Sequence, residues 1–238
     1  PGMFVKRADG TSIGETRDAA GNVVNIDWTG RFIIDATSAA GQKWFRDLFT
    51  MICDEWGYDY VKIDGQGGSR GLPEQVRDQL ADPSLPGDEV YRKGLAAIKA
   101  VMGPNRFLLN CGGQFDSAGY CEGIRIGGDV GPSWAGMQPA IQCTMAHVWH
   151  NGLDFWTDPD VVCVRPAGRD GSSLTLDQAR VWATLVGITG QLLMASDRMY
   201  DLPEPQVELL RRIYPVADIR PMDLYSYGGR PRIFDLRV

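Results

Sequence analysis

The stretch Tyr58–Gln66, YDYVKIDGQ, holds the reading on which the fold turns. Tyr60, Val61 and Ile63 are strand formers suited to burial, yet the run closes on a carboxylate, Asp64, with Lys62 two residues before it. Side chains alternate across a strand, so Lys62 and Asp64 share one face while Val61 and Ile63 take the other. Two readings of that polar face stand side by side. One is a salt bridge closing a strand end; the other is a catalytic carboxylate beside a substrate-binding cation.

Outward from this strand, strand and helix signals alternate. Short apolar runs suited to strands are GMFVKR (Gly2–Arg7), RFLLNCGG (Arg106–Gly113), GIRIGGD (Gly123–Asp129), GLDFWTDPDVVCV (Gly152–Val164) and QLLMASD (Gln191–Asp197). Between them, Trp44, Phe45, Leu48, Phe49 and Ile52 recur at three and four, predicting a helix from about Ala39 to Trp56 capped by Ser38 or Thr37. Further helices are expected near Glu89–Met102, over MQPAIQCTMAHVWH, over LDQARVWATLVGI behind a Thr175/Gln178 capping box, and over PEPQVELLRRIYP. Such alternation implies a parallel sheet. No glycine-rich nucleotide-binding pattern follows any of the strands. Polar residues gather instead at the strand ends: Lys62 and Asp64, Asn110 and Cys111, Arg125 and Asp129, Asp154 to Asp160, Ser196 and Asp197. In a β/α barrel that C-terminal end is the active-site face.

Composition narrows the chemistry. The 238 residues suffice for one α/β barrel domain, with 44% hydrophobic and 23% charged residues. A net charge of −6 offers no basic footprint for nucleic acid or an anionic membrane. No apolar run approaches the roughly 18 residues of a membrane span. The five cysteines, Cys53, Cys111, Cys121, Cys143 and Cys163, include no CxxC pair, and the two histidines are His147 and His150. Neither a disulfide framework nor a zinc site is expected from these, and no cofactor or metal is called for. An acidic cleft with several tryptophans points to carbohydrate, whose hydroxyls suit Asp, Lys and Arg and whose C–H faces suit tryptophan. Cleaving a glycosidic bond takes two carboxyl groups. Asp64, its ionised form favoured by Lys62, suits the attacking role. Asp129 suits the proton donor: Gly127 and Gly128 allow close backbone approach to a ligand, and Trp134 is placed to shield the carboxyl from water.

In this order, YDYVKID, LLNCGG, RIGGDVGPSW, WTDPDVVCVR and LLMASD resemble the melibiase-type α-galactosidases of glycoside hydrolase families 36 and 27, from about Gly2 to Pro215. The resemblance implies a retaining exo-glycosidase on a (β/α)8 TIM-type barrel acting on oligosaccharides or glycoconjugates with terminal α-galactose. It puts Asp64 on the nucleophile of a K-x-D motif and Asp129 on the acid/base of R-x-G-x-D. Lys62 and Arg125 fall on residues that hold galactose hydroxyls, and Cys111 and Gly112 near the sugar's 2-position. Trp134 is a candidate sugar platform, as is Trp156. An N-acetylgalactosaminidase, a galactosyl-transferring relative and a non-catalytic sugar-binding barrel are the neighbouring alternatives.

If Gly2–Arg7 is the third barrel strand, residues 1–220 hold strands three to eight, and residues 221–238 begin a C-terminal β-rich segment. The early strand that reads the 4- and 6-hydroxyls in relatives then has no counterpart here. The chain opens on Pro1 and closes on RPRIFDLRV, so both ends read as cuts through a longer protein. Compartment (cytoplasm, periplasm or secreted) and homo-oligomer formation stay open. Blander readings apply elsewhere. Asp158 and Asp160 in TDPD suit loop bracing, Asp197 a loop carboxylate, Cys111 a small packed residue, and His147 and His150 a helix flank. A metal-assisted hydrolase would draw on Asp154, Asp158, Asp160 and His150.

Overall fold

The computed structural model describes residues 5, 16–17, 20, 23–24, 34–64, 74, 77–111, 115–216, 221–227 and 230–236. The chain divides into two compact units, Pro1–Glu122 and Gly123–Val238, each with a parallel strand pair.

The first unit carries β1 (Thr16–Arg17) paired antiparallel with β2 (Val23–Val24), then α1 (Ala39–Thr50), β3 (Tyr60–Ile63), α2 (Gly87–Met102) and β4 (Phe107–Asn110). The expected strand Gly2–Arg7 lies outside the described residues except for Val5, which is buried. Helix α1 begins where expected. The Ser38 hydroxyl accepts the Gly41 N–H at 2.9 Å, and a Cβ on Gly41 would stand 1.9 Å from the Asp35 carbonyl oxygen, so only glycine fits there. The helix runs on through a π-helical turn, Met51–Glu55. Buried Asp35 ties its start to the segment before α2. One carboxylate oxygen accepts the Thr37 N–H (2.8 Å) and hydroxyl (2.6 Å), and the other accepts the Ala81 N–H (2.9 Å).

Strands β3 and β4 pair in parallel from Tyr60↔Phe107 to Ile63↔Asn110, and the Tyr60 and Phe107 rings stack at 5.5 Å. Along β3 the alternation from Val61 to Asp64 follows the sequence reading, whereas Tyr60, expected to be buried, lies on the exposed face. Tyr60, Lys62 and Asp64 are exposed, whereas Val61 and Ile63 are half-buried. In β4, Leu108, Leu109 and Asn110 are fully buried.

The second unit carries β5 (Gly123–Arg125), α3 (Trp134–His147), β6 (Trp156–Asp158), α4 (Leu176–Ile188) and α5 (Glu204–Ile213). An antiparallel hairpin follows, β7 (Pro221–Tyr227) and β8 (Arg230–Leu236). Ser133 caps α3, accepting the Gly136 N–H at 3.1 Å. The Thr175/Gln178 capping box forms as expected at α4. Behind these helices lies a core of Met137, Val162, Val164, Leu174, Trp182 and Val186, with the Trp182 indole N–H donating to the Val161 carbonyl at 3.0 Å. Helices α4 and α5 approach closely at Gly187, where a Cβ would meet Ile213 at 2.5 Å.

The expected strand Gly123–Asp129 is regular only over β5, and two others also come out shorter. The run Gly152–Val164 is regular only over β6, because Pro159 has no N–H to donate and Asp160 takes φ +76°. Further on, Val162 makes a single parallel bridge with Ala195, donating to the Met194 carbonyl (2.8 Å) and accepting from the Ser196 N–H (3.2 Å). Among the described residues that bridge is the strand pairing found for Gln191–Asp197, expected as a full strand. Its start is held by the Leu192 N–H donating to the Thr157 carbonyl (3.2 Å) and by side chains, Gln191 donating to the Thr189 hydroxyl (2.6 Å) and accepting from the Thr157 hydroxyl (3.0 Å).

Candidate active site

In both units polar side chains stand at the C-terminal ends of the parallel strands. Asn110 ends β4, Arg125 ends β5, Asp158 ends β6, and Asp64 directly follows β3. This is the end from which a β/α barrel acts.

In the first unit, Lys62 and Asp64 project together as exposed side chains. The backbone beneath Asp64 is pinned by the ladder, since the Ile63 carbonyl accepts the Cys111 N–H at 2.7 Å. Cys111 is buried, in keeping with a small packed residue, and Gly112 lies outside the described residues. Next to it, the Asn110 amide donates to the Tyr91 hydroxyl at 2.6 Å, while its own buried oxygen meets no hydrogen-bond partner among the described residues. Burial pushes the nearby Cys121 thiol up to about 12, which keeps it protonated and unreactive at neutral pH.

The second unit holds a denser arrangement centred on Arg125. Arg125 and Asp158 are register partners at the ends of β5 and β6, so opposite charges meet across the ladder. The Arg125 guanidinium reaches three carboxylates: Nε to Asp158 at 3.2 Å, one terminal nitrogen to Asp129 at 3.1 Å, the other to Asp160 at 2.6 Å. Arg125 and Asp158 are buried, with Asp158 fully enclosed. Burial raises the Asp158 carboxyl above its ordinary range, while Arg125 and the Asp160 N–H oppose that shift. A buried guanidinium with such partners is fixed in place, because each of its three nitrogens has its own carboxylate acceptor and turning away would leave a buried donor unsatisfied.

Asp129 sits four residues past β5, its side chain 96% exposed. The shielding expected from Trp134 is therefore not found; Trp134 is half-buried at the first position of α3. Gly127 has a packing reason of its own, since a Cβ there would come within 3.1 Å of the Cys143 side chain, whereas at Gly128 a Cβ would meet open space. Asp158 and Asp160 brace the loop as expected, the Asp158 carboxylate accepting the Asp160 N–H at 2.8 Å. Sequence reasoning missed that both also grip Arg125. The available signal was the strand pairing of Arg125 with Asp158, which spacing alone does not reveal. Asp197 is a buried brace, accepting the Val164 N–H (2.7 Å) and pairing with Arg165 (2.8 Å). Trp156 opens β6, two residues before Asp158.

The four residues of the metal-assisted reading do not converge. His150 pairs through Nδ1 with Asp154 at 2.6 Å, ahead of β6, whereas Asp158 and Asp160 turn to Arg125. Among the described residues no group of three or more His, Cys, Asp or Glu is placed to hold a metal ion.

No family model matches the chain. Solved structures do. An α-galactosidase from Thermus thermophilus in complex with stachyose aligns with a TM-score of 0.58 at 25% identity, over 84% of this chain and 44% of its own. A family 27 β-L-arabinopyranosidase from Geobacillus stearothermophilus aligns at 0.60 with 20% identity, over 82% and 46%. The chain shares the fold of the α-galactosidase clan of glycoside hydrolases. It spans less than half the length of these clan members. The matched structures are (β/α)8 barrel enzymes, and this chain carries parallel strands, β3 to β6, of the kind that scaffold such a barrel.

Proposed function

We propose that the protein is a retaining exo-glycosidase acting on terminal α-galactosides, with Asp64 as nucleophile and Asp129 as acid/base. The observation that carries this reading is the recurrence of apt polar groups at the C-terminal ends of successive parallel strands, in the order of the clan's motifs: Lys62 and Asp64, Asn110 and Cys111, Arg125 and Asp129. In the first step the Asp64 carboxylate attacks the anomeric carbon as its bond to the leaving oxygen breaks, and Asp129 gives that oxygen a proton. In the second step Asp129 takes a proton from water as the water displaces Asp64, which restores both groups and the starting anomer. Lys62 and Arg125 hold sugar hydroxyls, Cys111 and Gly112 border the 2-position, and Trp134 packs on the sugar.

The α-galactosidase kinship of fold supports galactose as the sugar. The arabinopyranosidase match makes its pentose counterpart, which lacks the 6-hydroxymethyl group, the natural second substrate to compare. The test is proton NMR of the full-length protein turning over aryl α-galactoside, aryl N-acetyl-α-galactosaminide and aryl β-L-arabinopyranoside. The α-galactoside should be preferred, with α-galactose as the first product. β-Galactose as first product would mean an inverting mechanism and remove Asp64 from the nucleophile's role.

A further inference from the structure

Asp160 makes more contacts to the Asp129 loop than bracing of its own turn requires. One of its carboxylate oxygens takes the Arg125 guanidinium at 2.6 Å, the same guanidinium that holds Asp129 at 3.1 Å. Its other oxygen accepts the N–H of Val130, the residue next to Asp129, at 2.7 Å. A single carboxylate thus grips Asp129 by its side-chain partner and by its following backbone. Asp160 does so from a left-handed conformation, φ +76°, uncommon for non-glycine residues though less so for Asp, in which its neighbours hold it. The hold is direct: the Asp160 N–H is tied to Asp158, which itself holds the Nε of Arg125. Asp129 needs such help, because it lies on a Gly-Gly loop beyond the last hydrogen-bonded residue of β5, with its own side chain in solvent.

We propose that Asp160 is the positioning residue for the acid/base carboxyl, fixing Asp129 through Arg125 and the Val130 amide together. The proposal rests on the acid/base reading of Asp129. Asp160 itself touches no reacting atom. Its effect falls on proton delivery to the leaving oxygen and on proton removal from water.

The variant of choice is Asp160→Gly, because glycine is at ease at φ +76° and removes the side chain, carboxylate included, without backbone strain. Asp160→Asn is the second, keeping the volume and tolerating the backbone while presenting one acceptor in place of two. In the full-length protein, kcat/KM should fall about 10- to 100-fold for alkyl or oligosaccharide α-galactosides, the scale on which small misplacements act. For dinitrophenyl α-galactoside, which needs little protonation, kcat/KM should change by no more than about 3-fold, since the first step then hardly uses the acid. With that substrate kcat and KM should drop together, as the slowed second step lets the glycosyl-enzyme build up. Asp160→Asn should fall between Asp160→Gly and the parent.

Equal losses of kcat/KM on good and poor leaving groups in a folded variant would overturn the proposal, leaving Asp160 as a brace of Arg125 or of the turn. So would unchanged kinetics. If Asp160→Gly fails to fold, the same two criteria apply to Asp160→Asn, and failure of both to fold would also overturn it by making the role structural. Asp129→Ala, measured in parallel, separates the two levels. If its losses do not depend on the leaving group, the acid/base reading fails. If they do and those of Asp160→Gly do not, only the positioning role of Asp160 fails.

Discussion

The end of β3 and the end of β5 each present a carboxylate, and they place it by different means. Asp64 directly follows the last residue of its strand, and the ladder bond from Cys111 to Ile63 fixes the backbone beneath it. Asp129 stands on a loop four residues beyond Arg125, and its position is set by side chains 29 to 31 positions from it in sequence, Asp158 and Asp160, acting through Arg125 and Val130. A main-chain ladder fixes the backbone from which a side chain springs. A loop has no such ladder, so the aim comes from a buried charge network, with all the sensitivity to substitution that buried charges carry.

The largest effect that would break this comparison lies at the strand end. Asp64→Asn in the full-length protein should reduce turnover of aryl α-galactosides by roughly four orders of magnitude or more, the scale on which losing a nucleophile acts. Its melting temperature should stay close to the parent's, because an exposed side chain beyond a ladder contributes little to stability. Near-normal turnover would remove Asp64 from catalysis.

The second effect is on stability and should run the other way. Asp158→Ala leaves the buried Arg125 Nε and the Asp160 N–H without their acceptor and should destabilise the fold by about 1–3 kcal/mol. Lys62→Ala, at an exposed position, should cost no more than about 0.5 kcal/mol. Chemical denaturation of both variants measures the contrast. Equal costs would mean that the two regions are built alike.

A smaller effect sharpens the picture through pH. Burial holds the Asp158 carboxyl above its ordinary range, so the folded state binds this proton more readily than the unfolded chain does. Stability contributed by this group should therefore rise as pH falls from the raised value toward the ordinary carboxylate range, opposing acid unfolding. In Asp158→Asn that contribution should vanish, so relative to the variant the parent should gain stability as pH falls across that window. A parent curve that loses stability relative to the variant there would show that Arg125 outweighs burial.

What the residues disclosed in advance follows the same division. Alternation in YDYVKID gave the two faces of β3 correctly, and the Ser38 cap and the Thr175/Gln178 box marked α1 and α4, because these signals lie within a few residues of one another. The strands Gly152–Val164 and Gln191–Asp197 were overextended, since apolar content does not register a proline followed by a left-handed Asp160 or buried side-chain bonds from Thr157 and Gln191. Trp134 looked like a cover for Asp129 from five residues away, yet the carboxylate is open to solvent. The grip of Asp158 and Asp160 on Arg125 was the least legible feature. It depends on which strands pair and in what register, information carried by the fold rather than by local spacing.

The most direct test of the central claim is to trap the covalent intermediate. In full-length protein carrying Asp129→Ala, a dinitrophenyl α-galactoside should still load the enzyme, because its leaving group needs little acid, while water lacks a base to release the sugar. Quenching, peptic digestion and mass spectrometry should find one galactosyl ester, on Asp64, and added azide should discharge it as α-galactosyl azide. A sugar ester on any other carboxylate, or rapid turnover with no ester and a β-configured product, would contradict the account.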